Sequence, residues 1–105
     1  MKKKSIPTYH EDLIRHLKDV RYAQAYLNAT LEDDDRRVFL LALRNVAEAH
    51  GGMTKLARHT HISREHIYRM LSEKGNPELA TLKNLLSAVG FRLAIETNTP
   101  HKKAA

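Results

Sequence analysis

The chain has no cysteine, so disulfides and thiolate chemistry are closed to it. No apolar run approaches the roughly 20 residues that a membrane-spanning helix needs. Met1-Lys2-Lys3-Lys4 resembles the charged start of a signal peptide, but no apolar stretch follows it. The chain therefore reads as cytoplasmic. There is no internal repeat, no low-complexity segment and no glycine-rich phosphate loop. His10-Glu11 has no second histidine at the spacing of a zinc-protease helix. Ser63 and the nearby histidines do not form a triad by spacing. His59, His61 and His66 cluster in sequence without the cysteines or carboxylates that usually complete a zinc site. The expectation is a protein that is not an enzyme, with no catalytic residue, metal or cofactor.

What is present is 105 residues, enough for one domain with a modest core, 42% hydrophobic. The net charge is +6, and it is unevenly placed. Residues 1–34 balance six basic against six acidic side chains. Residues 35–90 carry nine basic and five acidic, and residues 91–105 three basic and one acidic. A basic excess confined to the later part of the chain attracts phosphate through counterion release. Simple solubility is the lesser alternative reading of the charge.

Local signals divide the chain into helices. Residues 1–7 read as a disordered basic arm. Thr8-Tyr9-His10-Glu11 has the form of a capping box, and a helix should run from it to about Leu17. Asp19 can cap a second helix carrying Ala23, Tyr26, Leu27 and Leu31 at helical spacing. The run Glu32-Asp33-Asp34-Asp35 interrupts this pattern, and Asp34 or Asp35 can cap the next helix. Residues 8–34 thus form an N-terminal helical extension. Val38, Leu41, Ala42, Val46 and Ala49, widened by Phe39, Leu40 and Leu43, predict a buried helix over about 36–50, ended by Gly51-Gly52. Two short helices follow, over 53–60 and 64–73, with Gly75-Asn76-Pro77 as a stop. A last helix carries Leu79, Leu82, Leu85, Leu86 and Val89, and Gly90 ends it. Phe91, Leu93 and Ile95 then alternate as in one short strand. Residues 97–105 read as a disordered tail.

The stretch 56–71 is the most informative. Ala57 is small where two helices must approach closely, Ile62 closes the turn, and Ile67 and Met70 supply the apolar stripe of the second helix. Ser63 stands at its N-cap. This is the spacing of a helix-turn-helix, although two ordinary packed helices share it. The second helix presents Arg64, Glu65, Tyr68 and Arg69 outward; His66 is a further candidate whose side is ambiguous, and Tyr68 can pack on sugar-phosphate or flank the core. Arg64 and Arg69 have the fork that grips guanine in the major groove. Glu65 and Arg69 could instead form a surface ion pair one turn apart. Thr54, Lys55 and Arg58 on the first helix, with Ser63 and Lys74, complete the candidate DNA-contacting set. The region 35–96 is then a DNA-binding domain in an all-α fold with one short C-terminal strand. An orphan strand leaves both edges unpaired. Phe91, Leu93 and Ile95 are accordingly the candidate contacts of a homodimer, whose two-fold axis would call for an inverted-repeat operator in double-stranded DNA.

These residues also carry a family resemblance. Tyr26-Leu27-Asn28 with the acidic turn, Phe39 through Ala47, Gly52 through Ala57, Ile62-Ser63-Arg64-Glu65, Leu71 through Pro77 and Leu82 through Gly90 together span about residues 9–96. The chain resembles the antidote proteins of chromosomal toxin–antitoxin modules that carry an Xre-type, phage-repressor-like helix-turn-helix. They are HigA-like in role, and their genes sit beside a small RelE/HigB-like toxin. The resemblance implies a lambda-repressor-like bundle. It also implies an antitoxin that neutralises a small toxin and represses its own operon, with Arg64, Glu65 and Arg69 reading bases. Met53 stands where such repressors often place a phosphate-contacting glutamine, and His61 where many place glycine. Histidine is among the non-glycine residues that best accept positive φ. Two alternatives are a plain Xre-family regulator without a toxin and a helical adaptor that contacts only proteins.

Overall fold

A computed structural model describes residues 8–98. The basic arm 1–7 and most of the tail over 97–105 lie outside the described residues. Within them the chain forms six α-helices and no β-ladder: α1 Tyr9–Leu17, α2 Val20–Leu31, α3 Arg36–Ala49, α4 Gly52–Thr60, α5 Arg64–Met70 and α6 Leu79–Ala88. The fold is all-α.

Side-chain caps set where four of the helices begin. Thr8 Oγ1 accepts from the Glu11 N–H, and Glu11 Oε1 accepts from the Thr8 N–H, both at 3.0 Å, which closes the capping box of α1. Asp19 caps α2 through the Arg21 N–H at 3.0 Å, and Asp35 caps α3 through the Arg37 N–H at 2.9 Å. Ser63 caps α5 through the His66 N–H at 3.1 Å. Each bond satisfies a backbone donor that the helix itself cannot. Gly51 and Gly52, with φ of +113° and +81°, turn the chain from α3 into α4. Gly90, with φ of +92°, ends α6. There the Gly90 N–H donates to the Ser87 carbonyl and the Phe91 N–H to that of Leu86, the paired bonds of a Schellman motif.

The core gathers on α3. Phe39, Leu40, Ala42, Leu43, Val46 and Ala47 are all buried along it. Helices α1, α2 and α4 pack against α3, while α4 also meets α5 and α6. Leu17 from α1, Ala23 and Leu27 from α2, Leu56 from α4, Ile67 from α5, and Leu85 and Leu86 from α6 join one continuous cluster. Two polar bonds pin the extension to it. Buried Asn45 donates to the Tyr26 hydroxyl at 3.0 Å, and the His50 ring meets the Leu17 carbonyl at 2.7 Å.

Two local expectations change. Helix α5 stops at Met70 rather than near residue 73. Ser72 Oγ donates to the Arg69 carbonyl at 2.7 Å, and the Gly75 N–H donates to the Ser72 carbonyl at 2.9 Å, so the chain turns early. The turn brings Gly75 against the last turn of α5, where a Cβ would overlap the Met70 carbonyl. At the other end, residues 91–98 form no strand pair with any of the described residues. Phe91 and Leu93 are half-buried against the core, whereas Ile95 is 96% exposed.

Gly75→Ala should destabilise the protein, because the clash is with backbone rather than with a yielding side-chain end. Overpacking of this kind costs about 1–3 kcal/mol. A lower urea midpoint is expected, and an unchanged midpoint would mean that the turn has room to move.

Asp35 generates a pH prediction. The Arg37 guanidinium, donating to its carboxylate, and then the Arg37 N–H hold the Asp35 carboxyl at about 2, below its ordinary 3.8. A depressed carboxylate stabilises the folded state above its unfolded pKa, and that contribution disappears as pH falls through the folded value. The loss should therefore occur between about pH 4 and pH 2. Asp35→Asn keeps a capping oxygen but does not titrate. Its melting temperature should fall less steeply than that of wild type across this window, and parallel curves would show that Asp35 is not a source of the acid sensitivity.

Candidate nucleic-acid interface

The α4–α5 pair is built so that one face is locked and the other is free. Leu56 and Thr60 are the buried residues of α4, and Ile67 is the buried residue of α5. Thr60 Oγ1 donates to the Leu56 carbonyl at 2.8 Å and accepts from the Ile62 N–H at 3.3 Å, which fixes the start of the turn. His61 occupies the left-handed region, with φ of 62° and ψ of 30°. The chain thus reverses at a position where glycine would be the unstrained choice. Ser63 restarts the helix. Ala57 is half-buried and packs against the core, as expected for a close approach.

Every candidate DNA-contacting side chain is exposed. Thr54, Lys55 and Arg58 lie on α4, Ser63 at the cap, Arg64, Glu65, His66, Tyr68 and Arg69 on α5, and Lys74 in the following turn. A step of 100° per residue places Glu65 and Arg69 opposite buried Ile67. Arg64 and Tyr68 then flank them on one side and His66 on the other. Helix α4 opens at Gly51 without a side-chain cap, so its first N–H groups are not taken by a side chain. Residues 51–74 carry five basic and two acidic side chains.

The contacts within this face differ from the simplest pattern. Arg69 and Glu65 form no ion pair. The Arg69 guanidinium instead donates to His66 Nδ1 at 3.2 Å. Glu65 keeps both carboxylate oxygens free of salt bridges among the described residues. Met53 is half-buried against the core, and its thioether has no N–H to offer a phosphate. His59, His61 and His66 do not converge; among the described residues no group of three His, Cys, Asp or Glu is placed to hold a metal ion.

Two residues of this region are invisible to motif reading. Arg44, on α3, places its guanidinium 5.3 Å from the centre of the Tyr68 ring. Arg36, at the start of α3, donates through Nε to the Gly75 carbonyl at 2.8 Å. Both tie α3 to α5 or its exit turn, across 24 and 39 positions of sequence. A cation beside a tyrosine so far away leaves no local pattern to find.

Comparison with known proteins adds an independent line. A family model described as "Probable addiction module antidote protein" matches residues 8–97. An uncharacterized protein of Haemophilus influenzae is 35% identical over 85 residues, covering 81% of this chain and 87% of that protein. No solved structure matches. The matched span runs from the cap of α1 into the C-terminal segment, so it takes in the helical extension as well as the α4–α5 pair. The chain belongs to the family of addiction module antidote proteins.

Proposed function

We propose that this chain is the DNA-binding antitoxin of a type II toxin–antitoxin module, neutralising a small toxin and repressing its own operon. The observation that carries the DNA half is the outward face of α5. Arg64, Glu65 and Arg69 stand exposed on a helix anchored by Ile67 and started by a bonded Ser63. In this reading α4–His61–α5 is a helix-turn-helix in a lambda-repressor-like bundle, and α5 enters the major groove. Arg64 and Arg69 donate to guanine O6 and N7, while Glu65 can accept from a cytosine amino group. Lys55, Arg58 and Lys74 neutralise flanking phosphates, and Thr54 and Ser63 position the backbone. In this reading a guanine replaces His66 as the partner of the Arg69 guanidinium, which in the free chain donates to the imidazole.

The toxin half rests on the family. An antidote needs something to neutralise, and the resemblance to HigA-like antidotes points to a RelE/HigB-like ribonuclease. The chain would act as a homodimer on an inverted-repeat operator, since one seven-residue recognition helix offers few base contacts and a second copy doubles them.

Arg64→Ala and Arg69→Ala should each weaken binding to the DNA upstream of the chain's own gene by about 5- to 150-fold, the equivalent of about 1–3 kcal/mol per lost base contact. Gel-shift titrations at fixed salt, on variants with wild-type circular dichroism, read this directly. Wild-type affinity in both variants would remove α5 from the major groove. Co-expression with the product of the adjacent gene tests the toxin half. Growth arrest relieved by this chain is expected, and a harmless neighbour would leave a plain regulator.

A further inference from the structure

Residues 91–98 leave α6 with their backbone unspent. After the Phe91 N–H bonds the Leu86 carbonyl at 2.8 Å, no described backbone group of residues 92–98 is hydrogen-bonded to another backbone group. The segment makes no helix, turn or bend. Its burial alternates: Phe91 and Leu93 face the core, and Arg92 and Ala94 face out. This is the period of a strand. The alternation breaks at Ile95, which has the inward parity but is 96% exposed. Between the segment and α2 runs an open groove of mixed polarity, where Leu27, Leu31 and Phe39 meet Arg92 and Glu96, with Leu31 itself 47% exposed. An unpaired extended segment and an unseated isoleucine therefore lie together.

We infer that residues 92–96 of two copies of this chain pair antiparallel about a two-fold axis at Ala94. This rests on the homodimer of the proposed function and fixes its register. The sequence Arg92-Leu93-Ala94-Ile95-Glu96 is self-complementary about its centre. With Ala94 opposite Ala94 of the second copy, Arg92 falls opposite Glu96 of that copy, and Glu96 opposite its Arg92. Both ion pairs form on the face that carries Arg92, Ala94 and Glu96. On the face that carries the odd-numbered residues Leu93 falls opposite Ile95 of the second copy, which covers the isoleucine. Cross-strand pairs of this kind are what stabilise a sheet.

Neighbouring registers lose these pairs. Centring on Leu93 sets Glu96 against Gly90, and centring on Ile95 sets Glu96 against Ala94. Either leaves both charges without a partner. The two-fold arrangement also uses the same surface on both copies, as a closed dimer requires.

The chain's lack of cysteine makes the register directly measurable. Directly opposed residues in an antiparallel pair have Cα atoms about 4.5–5.5 Å apart, within disulfide reach. Ala94→Cys should give a disulfide-linked dimer on mild oxidation, whereas Lys18→Cys, exposed at the end of α1, should not. Arg92→Glu and Glu96→Arg should each raise the dimer dissociation constant about tenfold at low salt, from two lost charge pairs per dimer. The double exchange Arg92→Glu with Glu96→Arg should restore it. Sedimentation and cross-linking are run without DNA or toxin, so the failure of the DNA reading would not touch this result. A monomer at tens of micromolar, no cross-link in the Ala94→Cys variant, or a double exchange no better than the single ones would each overturn the pairing. A strand that pairs only with a toxin's sheet would show up as the first of these.

Discussion

Leu43 and Val46 are wholly enclosed on α3, and the buried residues of the other helices gather with them in one cluster. Burying a side chain of this size contributes about 1.5–3 kcal/mol, and α3 supplies several within four turns. The extension α1–α2 lies against α3, and so does α4, which in turn carries α5 and α6. Helix α5 is only seven residues long and could not persist alone in water. Ile67 ties it to the common cluster, Ser63 starts it, and Arg44 and Arg36 connect α3 to its flank and its exit. A short helix held so firmly on one side can present the other side without deformation. Precise presentation of a few side chains is what base reading demands.

Much of this architecture was legible because it depends on local chemistry. Thr8, Asp19 and Ser63 announce helix starts by residue type and position and make the bonds expected of them, and of the two candidates Asp34 and Asp35 it is Asp35 that caps α3. The Gly51-Gly52 pair and Gly90 announce ends, and each adopts the positive φ that a side chain would resist. His61 sits where the turn requires the left-handed region and takes it up at φ of 62°. The apolar content of α3 identified the most buried helix but not its buried face: Leu41 is 54% exposed, and Phe39, Leu40 and Leu43 are buried with Ala42 and Val46.

What sequence reading lacked was contact between distant positions. The end of α5 depends on Gly75 packing against the Met70 carbonyl, and the helical pattern alone runs on to residue 73. Arg69 was within reach of either Glu65 or His66, and only the placed side chains show that it bonds the histidine. The Arg44–Tyr68 contact joins two helices that share no motif. The C-terminal segment shows the same division. Alternation revealed its inward and outward positions, but Phe91 and Leu93 reach the core of their own chain while Ile95 does not.

Family membership and the exposed face of α5 support one account: an antidote protein whose α4–α5 pair reads DNA. Methylation protection of guanine N7 tests that account most directly, because N7 lies in the major groove and Arg64 and Arg69 are the groups expected to cover it. With the chain bound to the DNA upstream of its own gene, protected guanines should fall in two half-sites centred about one helical turn apart, roughly 34 Å. Binding that leaves every guanine N7 open to methylation would contradict it.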